Sequence, residues 1–214
     1  ENREKSARLD TLIFGDDYTD YRKRWAEIIK NKSIHEIPLN VDIELASSCN
    51  LRCVMCHQSI EGKSFIGTMK PDLIRRCLDQ CIKYKIPSIK LNWRGEATLN
   101  PHIVEAVRYA KNNNILEVIL NSNGLPRNDN ILIEICEAGL DRIIFSVDGN
   151  SKESYEGIRR GGDFEKLKYN IESVRIWRMK NRKLLPRIRV QMCVQEKNKT
   201  EVDSFYEYWS KKVD

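Results

Sequence analysis

Five short runs rich in β-branched residues, separated by longer helix-like stretches, constrain this chain more than any other feature of its sequence. The runs are Val41–Ala46, Ser88–Asn92, Leu116–Asn121, Arg142–Val147 and Arg187–Val194. Between them lie Pro71–Tyr84, Pro101–Asn113, Asp129–Ala138 and Phe164–Asn181, and a last helix is expected over Thr200–Lys211. Pro71 and Pro101 suit a first helical turn, where the missing N–H leaves nothing unpaired. Gly139 suits a helix stop. Crossovers of this length permit parallel pairing. Right-handed crossovers wind such an α/β chain into a barrel or a doubly wound sheet. Ahead of the first strand, Tyr21, Trp25, Ile28 and Ile29 share one helical face and predict an N-terminal helix over Tyr18–Lys30. Pro38 then breaks the chain, which gives a helical extension over 1–37 and an α/β core over 38–214.

With 214 residues the chain is long enough to bury one sizeable core. No apolar run approaches the ~20 residues of a membrane helix, and no signal peptide opens the chain. A cytoplasmic setting without a membrane partner is expected. The first residue is Glu1 rather than Met, so a piece of a longer chain is expected too. The net charge of +6 permits an anionic substrate or RNA and demands neither. The basic stretch from Arg175 to Arg189 reads as a solvated helix face followed by a loop.

The seven cysteines say more. A chain of this size needs no disulfide staples, and crowded thiols in the cytosol point to metal or catalysis. Cys49, Cys53 and Cys56 lie in the segment SSCNLRCVMCH, just after the first strand. A plain helical stripe of three exposed thiols would be oxidisable and would bury little. A zinc scaffold would need a fourth ligand, such as the adjacent His57. A cubane iron–sulfur cluster uses thiolates, and three on one tight loop leave one iron open, as in catalytic metal sites. Cys77, Cys81 and Cys136 sit on helix faces and read as core.

The C-x3-C-x2-C spacing resembles the hallmark of the radical S-adenosylmethionine (radical SAM) superfamily, and the resemblance runs from about Pro38 to Asn198. Its companions follow the later strands. RGEATLNP at 94–101 resembles the family's Gly-Gly-Glu-Pro segment, with Arg94 and Ala97 as departures; NSNG at 121–124 resembles its Thr-Asn-Gly turn. SVDG at 146–149 and the following YEGIRRGGDFEKLKYN resemble SPASM-type members. Each of these motifs falls at the C-terminal end of a predicted strand, where parallel α/β folds gather their sites.

The resemblance implies an α/β fold, a partial (β/α) barrel with five of six expected parallel strands and an N-terminal helix. Truncation before the sixth strand and any C-terminal domain is expected. The resemblance implies a [4Fe–4S] cluster on Cys49, Cys53 and Cys56, whose open iron binds S-adenosylmethionine. It also implies reductive cleavage to a 5′-deoxyadenosyl radical that abstracts hydrogen from a peptide, sugar or small metabolite. The implied cofactor contacts are Met55, Gly95, Glu96, Ser122, Ser146 and Arg189. Arg159 is a further candidate to meet the cofactor or a substrate carboxylate. Arg189, Gln191 and Cys193 share one strand face by alternation. The implied partners are an electron donor such as flavodoxin or ferredoxin and a small-molecule or peptide substrate, with nucleic acid not expected. The rivals are an RNA-modifying member and a non-catalytic iron–sulfur electron-transfer or sensor module.

Overall fold

The computed structural model describes residues 2–60 and 66–214, with side chains from residue 8 onward. Two helices open the chain, α1 (Asn2–Phe14) and α2 (Asp16–Asn31). The sequence predicts one helix here; Gly15, at φ 78°, breaks the path between the two. In chain order there follow β1 (Asn40–Asp42), β2 (Arg52–Cys53), α3 (His57–Ile60), α4 (Pro71–Lys83), β3 (Ser88–Lys90) and α5 (Ile103–Asn112). Next come β4 (Glu117–Ser122), α6 (Ile131–Glu137), β5 (Arg142–Ser146), α7 (Lys152–Ile158), β6 (Arg159–Arg160), α8 (Phe164–Lys180), β7 (Arg187–Gln191) and α9 (Val202–Trp209).

Among the described residues, β1, β3, β4, β5 and β7 form one five-stranded parallel sheet, neighbours in that order. A doubly wound sheet reverses its strand order at a switch point. This order never reverses, so the chain winds one way, as a barrel does. Alternation gives the sheet two unlike faces. Ile89, Leu91, Val118, Leu120, Ile143, Phe145 and Ile188 are buried under α4, α5, α6 and α8. The other, inner face is mostly polar. Its register sets Asp42, Lys90, Ile119, Arg142 and Arg187 side by side.

The N-terminal helices close the inner face at the N-terminal ends of the strands. Tyr18, Tyr21 and Leu39 form a small core there, with Trp25, Ile28 and Leu116 packed on it. Ile29, predicted on the apolar face, is instead exposed, and Tyr18 takes the buried place. Asp10 bridges Arg142 at 3.0 Å and Arg187 at 2.8 Å, while Arg142 also holds Glu117 at 3.0 Å. Burial, with Glu117 close by, pushes the Tyr18 hydroxyl up to about 12.

The basic stretch is less solvated than its composition suggests. Arg187 is buried against Asp10 and Asp214, and Arg178 pairs with Asp214 across from α8. Buried guanidinium groups need such partners. Asp214 also meets the open edge of β7. Its N–H donates to the Ile188 carbonyl at 2.9 Å and its carboxylate accepts from the Ile188 N–H at 2.7 Å. Cys81 and Cys136 are buried and Cys77 packs on the same core.

Candidate cluster and cofactor site

The cysteine loop is shaped by backbone bonds rather than by a long element. The Cys56 N–H donates to the Cys53 carbonyl at 3.0 Å, and Ser59 and Ile60 donate to the Cys56 carbonyl to start α3. Cys53 lies in β2, which pairs antiparallel with β6, Cys53 opposite Arg159 and Arg52 opposite Arg160. Val54 N–H adds a bond to the Ile158 carbonyl at 2.9 Å. Met55, between two of the cysteines, is half-buried against the main core.

The thiols share one environment. Burial raises the Cys49 thiol, which also faces the charges of Glu96 and Cys56. Burial pushes Cys53 up to about 11; Arg159 pulls the other way, and Cys49 and Cys56 add repulsion. Three thiolates here oppose one another. A cationic metal centre offsets that cost, and binding would release the protons. Among the described residues no group of three or more His, Cys, Asp and Glu side chains converges on a single-ion position. Zinc would need such convergence. In a cluster each thiolate takes its own iron, so the donor set fits the cubane.

The loop after β3 packs directly on this segment. A Cβ at Gly95 would lie 2.0 Å from the Ala46 carbonyl oxygen and 2.7 Å from the Ser48 one. Glycine is required because the chain's own backbone approaches. The Glu96 N–H donates to the Ser48 carbonyl at 2.9 Å, and Glu44 accepts from the Arg94 N–H at 3.0 Å. Glu96 is buried, 2% exposed. Its Oε1 accepts from the Thr98 hydroxyl at 2.8 Å and the Ser122 hydroxyl at 2.9 Å, and its Oε2 from the Asn123 N–H at 2.7 Å. This carboxylate therefore bolts the loop after β3 to the turn after β4.

That turn also reaches the cysteine segment. Asn123 Nδ2 donates to Asn50 at 2.8 Å and reaches the Cys49 sulfur at 3.8 Å. Ser122 Oγ accepts from the Gly124 N–H at 3.0 Å. After β5, Asp148 is 1% exposed and takes both the Nε and an Nη of Arg159 at 2.8 Å. Its other oxygen accepts from the Cys193 N–H at 2.7 Å. Arg159 thus stands beside Cys53 with a carboxylate at its back. Ser146 is half-buried at the end of β5, paired with Gln191 of β7. Arg189 is exposed on the same inner face, opposite Ile144. The Asn121 Oδ1, also on that face, is buried with no partner among the described residues.

The structure therefore brings Cys49, Cys53, Cys56, Gly95, Glu96 and Ser122 into one connected network; Ser146 and Arg189 lie on the neighbouring inner face. Thr98, Asn123 and Asn50 join the network without having been singled out, and Asp148, which the SVDG resemblance implied as a residue shaping its turn, holds Arg159 and the Cys193 N–H.

Residues 43–180 match the family model described as Radical SAM superfamily. A probable GTP 3′,8-cyclase from Methanococcus maripaludis is 28% identical over 130 residues, which are 61% of this chain and 43% of that relative. This chain thus spans less than half of that relative's length. Streptococcus suis SuiB, solved with its precursor peptide SuiA, superposes with a TM-score of 0.69 at 15% identity, over 94% of this chain and 44% of SuiB. Native anSMEcpe with bound AdoMet gives 0.65 at 21% identity, over 82% and 49%. At such identities these two structures establish the fold, a partial barrel of the same type.

Proposed function

The chain belongs to the radical SAM superfamily, and on that premise we propose that it is the core of an enzyme acting through a [4Fe–4S] cluster and S-adenosylmethionine. When bound, the pair supplies a 5′-deoxyadenosyl radical that takes hydrogen from a substrate. The observation that carries the reading is the joining of three half-buried or buried thiols to the loops after β3 and β4 at one end of the sheet.

The chain's own residues bind and orient. Cys49, Cys53 and Cys56 would hold the cluster through three of its irons. Gly95 lets the loop after β3 lie against the cysteine segment, and Glu96 and Ser122 fix the relative height of the two loops. Asn123 donates toward the Cys49 sulfur, which favours its ionised form. Arg159, held by Asp148, places a positive charge beside Cys53. The half-polar inner face, with Ser146, Asn121 and Arg189, receives the cofactor's far end and the substrate. The substrate is a peptide, sugar or small metabolite, and reduction comes from a carrier such as flavodoxin or ferredoxin.

Anaerobic reconstitution of the full-length protein tests this. About four irons and four sulfides per chain are expected, with one iron distinguishable by Mössbauer spectroscopy once S-adenosylmethionine is added. A strong reductant should yield methionine and 5′-deoxyadenosine, and Cys53→Ala should abolish both. Stoichiometric zinc without sulfide would overturn the reading. A loaded protein that binds the cofactor without cleaving it would replace it with the sensor reading.

A further inference from the structure

We infer that the outward face of the β2–β6 ladder is the docking site for an acidic one-electron carrier protein that reduces the cluster. The inference rests on the cluster-binding part of the proposed function and not on the reaction. In this ladder Cys53 and Arg159 oppose each other, as do Arg52 and Arg160. Successive strand side chains point to opposite faces. Cys53 and Arg159 turn inward, with 8% exposure for the cysteine and 12% for the arginine side chain. Arg52 and Arg160 turn outward and are exposed.

Like charges directly opposite one another on an antiparallel pair repel and destabilise it. Elsewhere the chain answers its buried arginines with carboxylates: Arg159 with Asp148, Arg142 with Glu117 and Asp10, Arg187 with Asp10 and Asp214. Among the described residues no carboxylate forms an ion pair with Arg52 or Arg160. Arg52 is nevertheless held in place. Its Nη1 donates to the Cys49 carbonyl at 2.8 Å and the Leu51 carbonyl at 2.7 Å. Both bonds use one nitrogen. The Nε and the second Nη have no acceptor among the described residues, and a guanidinium is suited to carboxylates through that fork.

Among the described residues this leaves an uncompensated pair of positive charges on the ladder: Arg52, held on the cysteine loop one residue from Cys53, and Arg160 opposite it on β6. The pair points away from the thiolate, so a carrier seated there leaves the inner face open to substrate. The net charge of +6 adds attraction at longer range. In the transfer, the carrier loses one electron and the cluster gains it; no bond forms or breaks and no proton moves.

The test uses the full-length, reconstituted protein, with reduced flavodoxin as the probe and stopped-flow bleaching of the cluster as the signal. The Arg52→Gln/Arg160→Gln variant should lower the second-order reduction rate about ten-fold at low salt. The wild-type rate should fall as ionic strength rises, and the variant's should change little. Arg160→Gln alone breaks no hydrogen bond seen here and should show a partial loss, which guards against a disturbed cysteine loop in the double variant. Reduction by photoreduced deazariboflavin, a small neutral reagent, and the cluster's midpoint potential should match wild type. Equal carrier rates and salt slopes in wild type and Arg160→Gln overturn the proposal, as does a loss that deazariboflavin shares. Missing 5′-deoxyadenosine in the same samples counts against the proposed reaction alone; a missing cluster counts against both.

Discussion

Glu96 shows how one side chain can be legible in type and opaque in role. Its match to the family's Gly-Gly-Glu-Pro segment implied a cofactor contact. In the fold it accepts from Thr98, Ser122 and Asn123 and is almost fully buried. Glu96→Gln places an amide donor among groups that are themselves donors. Hydrogen bonds to a charged group contribute about 1.5–3 kcal/mol each way, so we expect the variant to lose about 2–3 kcal/mol in urea unfolding. A cofactor contact alone would weaken cofactor binding and leave unfolding unchanged. Gly95→Ala should cost about 3 kcal/mol by overpacking, because its Cβ meets the backbone of Ala46 and Ser48 rather than movable side chains. A melting curve of the variant at wild-type stability would contradict that. The cysteines were readable because their spacing is local. Asn123 reaches Cys49 and Asp148 reaches Arg159 only through the fold, and nothing in a single sequence encodes those distances.

At the scale of elements, the regular pieces were legible and the short ones were not. Pro71–Lys83 and Phe164–Lys180 form helices close to the predicted Pro71–Tyr84 and Phe164–Asn181; β3, β5 and β7 lie within their predicted runs, while β1 begins one residue early at Asn40 and β4 ends one residue late at Ser122. The ladder of β2 and β6 is two residues on each side, too short for any periodic signal, yet it positions Cys53. The predicted last helix begins later than expected, after a 3-10 turn over Lys199–Glu201. Glu201 explains the placement. Its carboxylate accepts from the Asn150 N–H at 2.6 Å, the Ser151 hydroxyl at 2.9 Å and the Ser154 hydroxyl at 2.6 Å, tying α9 to the start of α7. Burial opposes its charge, but those bonds outweigh it and hold the carboxyl below its ordinary 4.5. A depressed folded value means that the unfolded chain binds the proton more readily. The stabilisation is full above about pH 4.5 and is lost as pH falls through the folded value. Glu201→Gln should therefore cost about 1–2 kcal/mol near neutral pH and less under acid conditions. Chemical unfolding of both proteins across that range checks it; a difference that grows on acidification would contradict the assignment.

The whole molecule is held across its length by an ionic chain inside the barrel base. Asp10 on α1 joins Arg142 of β5 and Arg187 of β7; Arg142 continues to Glu117 of β4, and Arg187 to Asp214. The sequence shows these residues only as scattered charges, because their partners lie up to 177 positions apart. The extension is thus not an independent helix beside the core. It packs over the strand ends opposite the cysteine loop. Removing one partner from a buried ion pair costs about 3–5 kcal/mol, since the charge left behind stays desolvated. Here Arg142 and Arg187 keep other carboxylates, which places Asp10→Ala near the lower end, at about 3 kcal/mol. Leu12 is 81% exposed on the same helix, and Leu12→Ser should change stability by less than about 0.5 kcal/mol. The pair separates a charge latch from a general need for α1. If the latch is right, limited proteolysis should cut Asp10→Ala ahead of Gly15 well before it cuts wild type or Leu12→Ser, and the sheet should survive the cut. Equal cleavage in all three proteins, or equal loss of stability in both variants, would mean that α1 is held by its helix packing and not by Asp10.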